Sequence, residues 1–402
     1  MQPKLPLHLR GARLKGLVVL STAMLGFAGF AVAQAAPALA DPGVSYVAVG
    51  SDTIQDVMNQ FSSDAAGNEI GSYNAVNPVT GATHEVITPA KAGSTPASCS
   101  FTRPNGSTEG VNALRFSINP ATTATQLANP PQPGCIDIAR SSSGPGTNQN
   151  NAGQLVYIPF ALDAVTGATG PATAGGGALA TNITTADSFT LTDLVNLYTN
   201  CQTVTEGGVT YNPNTASGSQ VQINLYIPQA GSGTRSFWAT TLGFNATTPP
   251  ACVHDTIQAG ADAGQPVEEH DGTAFATDPN GYGPFSIAQW ISQRNGHNDR
   301  RHGAVVHNIN AISPFSNGNP ATGALNTSFP ITREVYNVVQ YSRVATGGAN
   351  FDPALASLLV GTNSLLCQDS LTIRAYGFAV LGASTTDTCG SIANSLRAFT
   401  TI

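Results

Sequence analysis

The sequence predicts an α/β fold, and three observations carry that expectation. Short apolar runs that read as strands alternate with capped, helix-forming segments along most of the 402 residues. Turns rich in Gly, Ser and Thr stand just ahead of several of those helices. The chain beyond its first forty residues is long enough for two domains of ordinary size with a sizeable core.

The elements follow in order. Residues 44–49 read as a strand and 53–61 as a helix. Residues 62–98, rich in Gly, Asn, Thr and Pro, read as an irregular excursion. A helix over 111–116 follows a Gly-Ser-Thr turn, and 136–139 form a short buried strand. A Ser/Gly/Asn loop over 142–153 leads to a strong strand at 155–161. The helix over 189–198 opens on Thr, Asp and Ser capping residues. Strand 221–227 and helix 235–242 come next. Pro284 suits the first turn of a helix over 285–293, where a missing N–H leaves no bond unmade. A strand over 336–341 and helices over 353–359 and 392–399 complete the pattern.

Residues 1–40 read as a signal peptide. Lys4, Arg10, Arg13 and Lys15 form a basic start, residues 16–32 are apolar, and Ala38-Leu39-Ala40 offers a small-residue cleavage site. No second apolar run is long enough to span a membrane, and no cysteine stands at the cleavage site to carry a lipid. The expectation is a secreted, extracellular chain beginning near Asp41. The leader holds four of the 16 Lys and Arg and none of the 23 acidic residues, which leaves a net charge near −11. Nucleic acid and anionic membranes are poor partners for such a chain.

Cys99, Cys135, Cys201, Cys252, Cys367 and Cys389 all follow the leader. An even count in an exported chain points to disulfides. Of the fifteen connectivities six cysteines allow, neighbour pairing is the expectation: Cys99–Cys135, Cys201–Cys252 and Cys367–Cys389. Their spacings match no zinc signature, and neither a metal nor a cofactor is expected.

Three turns carry the functional signal. They are Gly50-Ser51-Asp52-Thr53, Gly106-Ser107-Thr108 and Gly231-Ser232-Gly233-Thr234-Arg235. Each would present unpaired backbone N–H groups and hydroxyls at the positive end of a helix, an arrangement that favours an oxyanion. If the fold brings the three together, they can surround one tetrahedral anion without a lysine.

With those turns in that order, the sequence resembles the periplasmic phosphate-binding proteins of ABC transporters (PstS-like, type II substrate-binding fold). Gly50-Ser51-Asp52-Thr53 is similar to the family's N-terminal turn, and Gly106-Ser107-Thr108-Glu109-Gly110-Val111 to its second. Ile136-Asp137-Ile138-Ala139-Arg140-Ser141-Ser142 resembles the segment that follows. Tyr157-Ile158-Pro159-Phe160-Ala161 looks like the strand that crosses into the second domain, and Leu191-Thr192-Asp193-Leu194-Val195-Asn196-Leu197-Tyr198 like the helix after it. Segments 281–289 and 329–336 also match.

The resemblance implies two lobes, each a mixed sheet flanked by helices, with the ligand in the cleft between them. Lobe 1 would be discontinuous, residues 41–158 plus 332–402, and lobe 2 would be 159–331. Thr53, Ile54, Ser107, Ser232, Gly233 and Thr234 carry over as ligand contacts; Ser51, Asp52, Thr108, Arg140, Ser142 and Arg235 complete the candidate ligand-binding set. The implied function is non-enzymatic capture of phosphate or a related oxyanion by a monomer, for an ABC permease.

Two departures bear on the anion. Ser142 stands where the family has a phosphate-accepting Asp, and Pro228 stands near its Arg. A carboxylate acceptor selects an anion that still carries a proton. Asp52 or Glu109 could replace the acceptor, and Arg140, Arg235 or Arg103 the cation. A surface or interaction protein that has lost phosphate specificity is the alternative. A phosphoester hydrolase ranks below both, because Ser232 lies in no Gly-x-Ser-x-Gly elbow. Glu268-Glu269-His270-Asp271-Gly272 reads as a solvated loop, and Arg300-Arg301-His302 as a surface turn.

Overall fold

The structure, a computed structural model, describes residues 44–64, 69–92, 99–125, 127–171, 179, 183, 188–382 and 385–402. The chain divides into two units, residues 1–34 and 35–402, and every described residue belongs to the second. The leader expected over residues 1–40 lies outside the described residues. Among the described residues no helix is long and apolar enough to cross a membrane.

A mixed sheet organises the molecule. Its main strands are Tyr46–Gly50 (β1), Ile70–Ser72 (β2), Ile138–Ser141 (β3), Leu155–Thr169 (β4), Asn224–Tyr226 (β5), Val253–His254 (β6), Gly281–Ser286 (β7) and Thr332–Gln340 (β8). They lie in the order β6-β5-β7-β4-β8-β3-β1-β2. At one end β1 pairs in parallel with β2 and β3; at the other β5 pairs in parallel with β6 and β7. β4 and β8 join the ends by antiparallel pairing with each other and with β7 and β3.

β4 is buried along all 15 residues. That burial accounts for its near-continuous apolar run, since both faces are covered and no polar alternation is required. Its register with β8 runs from Thr332 opposite Ala164 to Gln340 opposite Leu155, with a shift between Val335 and Tyr336.

The helices that matter for the site are Gln55–Asp64 (α1), Ser107–Ile118 (α2), Leu191–Asn200 (α3), Gly233–Leu242 (α4), Thr273–Thr277 (α5) and Ile287–Arg294 (α6). α1 buries Val57, Met58 and Phe61, and α4 buries Trp238, Ala239 and Leu242. Thr190 and Asp193 form a reciprocal capping box at the start of α3, as its capping residues lead one to expect. The three neighbour disulfides are all formed and no cysteine is free.

Three expectations need correction. The excursion at 62–98 contributes β2, which extends the sheet beyond β1. Pro284 lies inside β7, and α6 starts at Ile287 with the Ser286 side chain accepting from the Gln289 N–H. Pairing of β7 with β4 outweighs the local helix-start signal. Residues 392–399 are not a helix: a 3-10 turn at Asn394–Leu396 precedes Arg397–Ala398, which pairs with Leu155 and Val156 of β4. Tertiary pairing has overridden local propensity there.

Candidate functional site

The three turns meet. α1 begins just after the first, and α2 and α4 begin within the second and third; Gly50, Gly106 and Gly231 hold positive φ values of 111°, 119° and 92°. Side chains rarely tolerate that region. The second and third turns touch through the Thr108 N–H, which donates to the Gly231 carbonyl at 3.1 Å. A methyl group on Gly233 would overlap both the Ser107 and Ser142 hydroxyls. Glycine at 233 is therefore what lets the start of α4 approach the start of α2.

Ser142 sits at the centre of a hydroxyl cluster. The Ser51 hydroxyl donates to Ser142 Oγ at 3.2 Å, and Ser107 Oγ lies 3.3 Å from the same atom. The Ser142 N–H also donates to Ser107 Oγ at 3.1 Å. All three serines are buried. The other candidates have definite places too. Ile54 is buried. The Ser232 side chain caps α4 by accepting from the Arg235 N–H. Thr108 is exposed.

The three candidate arginines are engaged elsewhere, Arg103 by donating to the Asn74 carbonyl at 2.6 Å. Arg140 donates to the carbonyls of Ala48, Gly50, Ser51 and Tyr73 and to the Ser72 hydroxyl. It holds the first turn from behind. Arg235 donates to the carbonyls of Pro228 and Ala246 and pairs with Asp255 at 2.8 Å. Glu109 accepts from the Asn105 N–H at 2.8 Å and so braces the second turn.

Glu269 and His270 stand beside the turns, only 1 % and 2 % exposed. The solvated loop expected at 268–272 is thus corrected at these two positions. Glu269 Oε1 accepts from the Thr53 hydroxyl at 2.9 Å and from the Thr234 N–H at 3.2 Å. A carboxylate therefore occupies the end of α4, as the helix dipole favours. Its other oxygen, Oε2, is buried without a hydrogen-bond partner, as is Asp52 Oδ1. Arg300 is likewise no surface turn residue: its Nη2 lies 3.8 Å from Asp52 Oδ2, and its Nε and Nη2 are buried without hydrogen-bond partners.

These surroundings set the charges. Burial, then the Glu269 charge, push the Asp52 carboxyl well above the usual range, against Arg300. Burial works to raise Glu269 as well. The hydrogen bond with His270, the nearby Arg333 and the bond from Thr234 outweigh it and hold Glu269 below the usual range. Burial lowers His270, opposed by Glu269. The surroundings thus favour the neutral form at Asp52 and the ionised form at Glu269.

Asp52, Glu269 and His270 bring ligand atoms within 4.8 Å of one another, which raises the question of a cation. The Ser286 N–H donates to His270 Nδ1 at 3.3 Å. That bond puts the imidazole proton on Nε2, which faces Glu269 Oε1 at 3.1 Å and Thr53 Oγ1 at 2.9 Å. Nε2 is then a donor with no lone pair for a metal. The trio fits a hydrogen-bond network and not a metal centre.

A further buried pair steadies the site. Asp163 on β4 accepts from Arg333 on β8 at 2.8 and 3.0 Å, and from the Ser286 hydroxyl and the Ala288 N–H at the start of α6. Gln289 on α6 reaches the Thr53 carbonyl at 2.6 Å. The Glu269/His270 segment reads from the sequence as a solvated loop. Its burial is not legible there, because it depends on Gln229, which accepts from the Glu269 N–H, and on Gln293 of α6, which donates to the His270 carbonyl.

Among the described residues the molecule is a mixed α/β protein with one large central sheet and two small ones. No family model matches the sequence, and no curated protein matches it. One similar solved structure, with phosphate bound, is described as a phosphate ABC transporter substrate-binding protein from Clostridium perfringens. It is 14% identical, with 84% of this chain and 100% of that chain covered and a TM-score of 0.47. A second, described as a possible phosphate binding protein from Planctomyces limnophilus, is 12% identical over 86% of this chain and 95% of its own, at a TM-score of 0.36. The third, PstS from Borrelia burgdorferi, is 14% identical over 85% of this chain and 100% of its own, at 0.39.

Proposed function

We propose that this chain is a secreted, non-enzymatic solute-binding protein that captures phosphate or a related protonated tetrahedral oxyanion for uptake by an ABC permease. The ligand lies between lobe 1, residues 41–158 plus 332–402, and lobe 2, residues 159–331, and the protein acts as a monomer. One observation carries the reading: the starts of α1, α2 and α4 converge, and an anionic oxygen of Glu269 already accepts from Thr53 and the Thr234 N–H. A ligand oxygen would take the same donors, with the Ser51, Ser107 and Ser142 hydroxyls beside them.

Glu269 defines the selectivity in this reading. An ionised carboxylate with a free oxygen accepts a proton from a P–OH group and repels an anion that has none. Hydrogen phosphate is bound, and sulfate is turned away. Ser142 therefore need not supply the acceptor.

Calorimetric titration of the purified chain with phosphate, sulfate and molybdate, after removal of endogenous ligand, tests this. Phosphate binding without turnover of a chromogenic phosphoester supports it. Failure to bind any of the three anions rejects it.

A further inference from the structure

The hydroxyl cluster has a neighbour much larger than an inorganic anion. A groove of about 790 Å³ runs past it, lined among others by Ser107, Thr108, Asn112, Arg115, Tyr157 and Phe237. Ser107 thus belongs to both the cluster and the groove. Ser141 and Ser143, on either side of Ser142, line it as well. An inorganic tetrahedral oxyanion takes roughly the space of two waters, ~60 Å³, so the groove exceeds what phosphate alone would use by about tenfold.

The lining has a definite chemistry. Hydroxyls and the Asn112 amide share the lining with the rings of Tyr157, Phe237 and Phe399. Arg115 is only 8 % exposed, and its Nε has no hydrogen-bond partner. Its guanidinium carbon sits 4.3 Å from the centre of the Phe399 ring, which fixes the plane of the group and leaves its edge for a ligand. Ligand sites typically combine apolar and aromatic walls with a few placed polar groups and enclose ~300–1,000 Å³. A polyhydroxylated carbon skeleton satisfies these walls: its hydroxyls meet Asn112, Thr108 and Arg115, and its C–H faces meet the rings.

We infer that the ligand is an organic phosphomonoester, specifically a sugar phosphate, with its phosphoryl end in the hydroxyl cluster and its sugar in the groove. The inference rests on the oxyanion reading above and narrows it. A phosphomonoester retains three free phosphoryl oxygens for the three turns, and its fourth bond points the sugar into the groove beside Ser107. In its singly protonated form it also keeps the P–OH that Glu269 accepts.

Calorimetry at about pH 5, where the ester keeps one phosphoryl proton, with glucose 6-phosphate, orthophosphate and glucose on the intact purified chain decides the matter. The expected result is glucose 6-phosphate binding at least tenfold tighter than orthophosphate, with glucose alone not binding. Asn112→Trp, which fills the groove, should bring the two phosphate affinities together, and Arg115→Met should narrow their ratio. Thr234→Ala should weaken both ligands. Orthophosphate binding as tightly as the ester, or an ester preference that survives Asn112→Trp, overturns the sugar-phosphate inference and leaves the oxyanion reading standing. Failure of every phosphate compound to bind overturns both.

Discussion

The Thr234 backbone N–H donates to the carboxylate of Glu269 across 3.2 Å. One side chain thereby supplies a negative charge to the start of α4 and keeps a second oxygen in reserve. If that oxygen reads a proton on the ligand, Glu269→Gln removes the discrimination while keeping the shape. We expect the phosphate-to-sulfate affinity ratio to fall at least tenfold, about 1.4 kcal/mol, measured by competition calorimetry. An unchanged ratio would assign selectivity to another group.

Gly233→Ala tests the approach of the second and third turns. Its methyl group overlaps Ser107 and Ser142, so the two helix starts must separate. Overpacking of this kind costs about 1–3 kcal/mol. Oxyanion binding should weaken by roughly that amount, tenfold or more, while circular dichroism reports an intact fold. Wild-type affinity in this variant would show that the turns do not act together.

Ser107→Ala removes one hydroxyl from the cluster and leaves the backbone in place. A hydrogen bond to a charged ligand is worth about 1.5–3 kcal/mol, so affinity should drop about tenfold or more. Thermal melting without ligand should fall as well, because the buried Ser142 N–H loses its acceptor, so the affinity loss is read at a temperature where both forms are folded.

Asp52 makes stability depend on pH with a definite sign. Its carboxyl is raised in the folded protein by burial and by Glu269. Below the ordinary carboxylate range both folded and unfolded chains hold the proton, and the contribution is fully present. As pH rises the unfolded chain releases its proton first, and the stabilisation is lost as pH climbs through the folded value. Asp52→Asn should flatten this slope. Denaturant titrations at about pH 5 and about pH 8 should show wild type losing more stability than the variant; equal losses would place the proton elsewhere.

Arg140 holds the first turn by donating to five oxygens from a fully buried position. Arg140→Met leaves those acceptors unmet and should destabilise the fold by about 3–5 kcal/mol, read from urea unfolding. Arg140→Lys should recover only part of that loss, because an ammonium has three donors and no planar fork.

Much of the architecture was legible in the sequence. The alternation of apolar runs and capped helices located most elements, and the Gly/Ser/Thr turns marked the starts of α1, α2 and α4. Neighbour pairing of the cysteines was also as expected. These features are local, so a local reading finds them. What escaped it depends on contacts between distant segments. Arg397–Ala398 is a strand because β4 offers an edge to it. Pro284 lies in a strand because β7 pairs with β4. Glu269 and His270 look like solvated residues until the turns, β7 and α6 close around them. Arg140 looks like an anion-binding cation until five acceptors within the fold claim it.

The cluster formed by Ser51, Ser107 and Ser142 has one more consequence. A hydroxyl is a rotor: its hydrogen can swing from donating to a neighbour to donating to a ligand, and its lone pairs can then accept instead. Three such rotors in contact can reverse their donor pattern without moving a heavy atom. A phosphoryl group that keeps one proton could shift it from one oxygen to another and still find every oxygen satisfied.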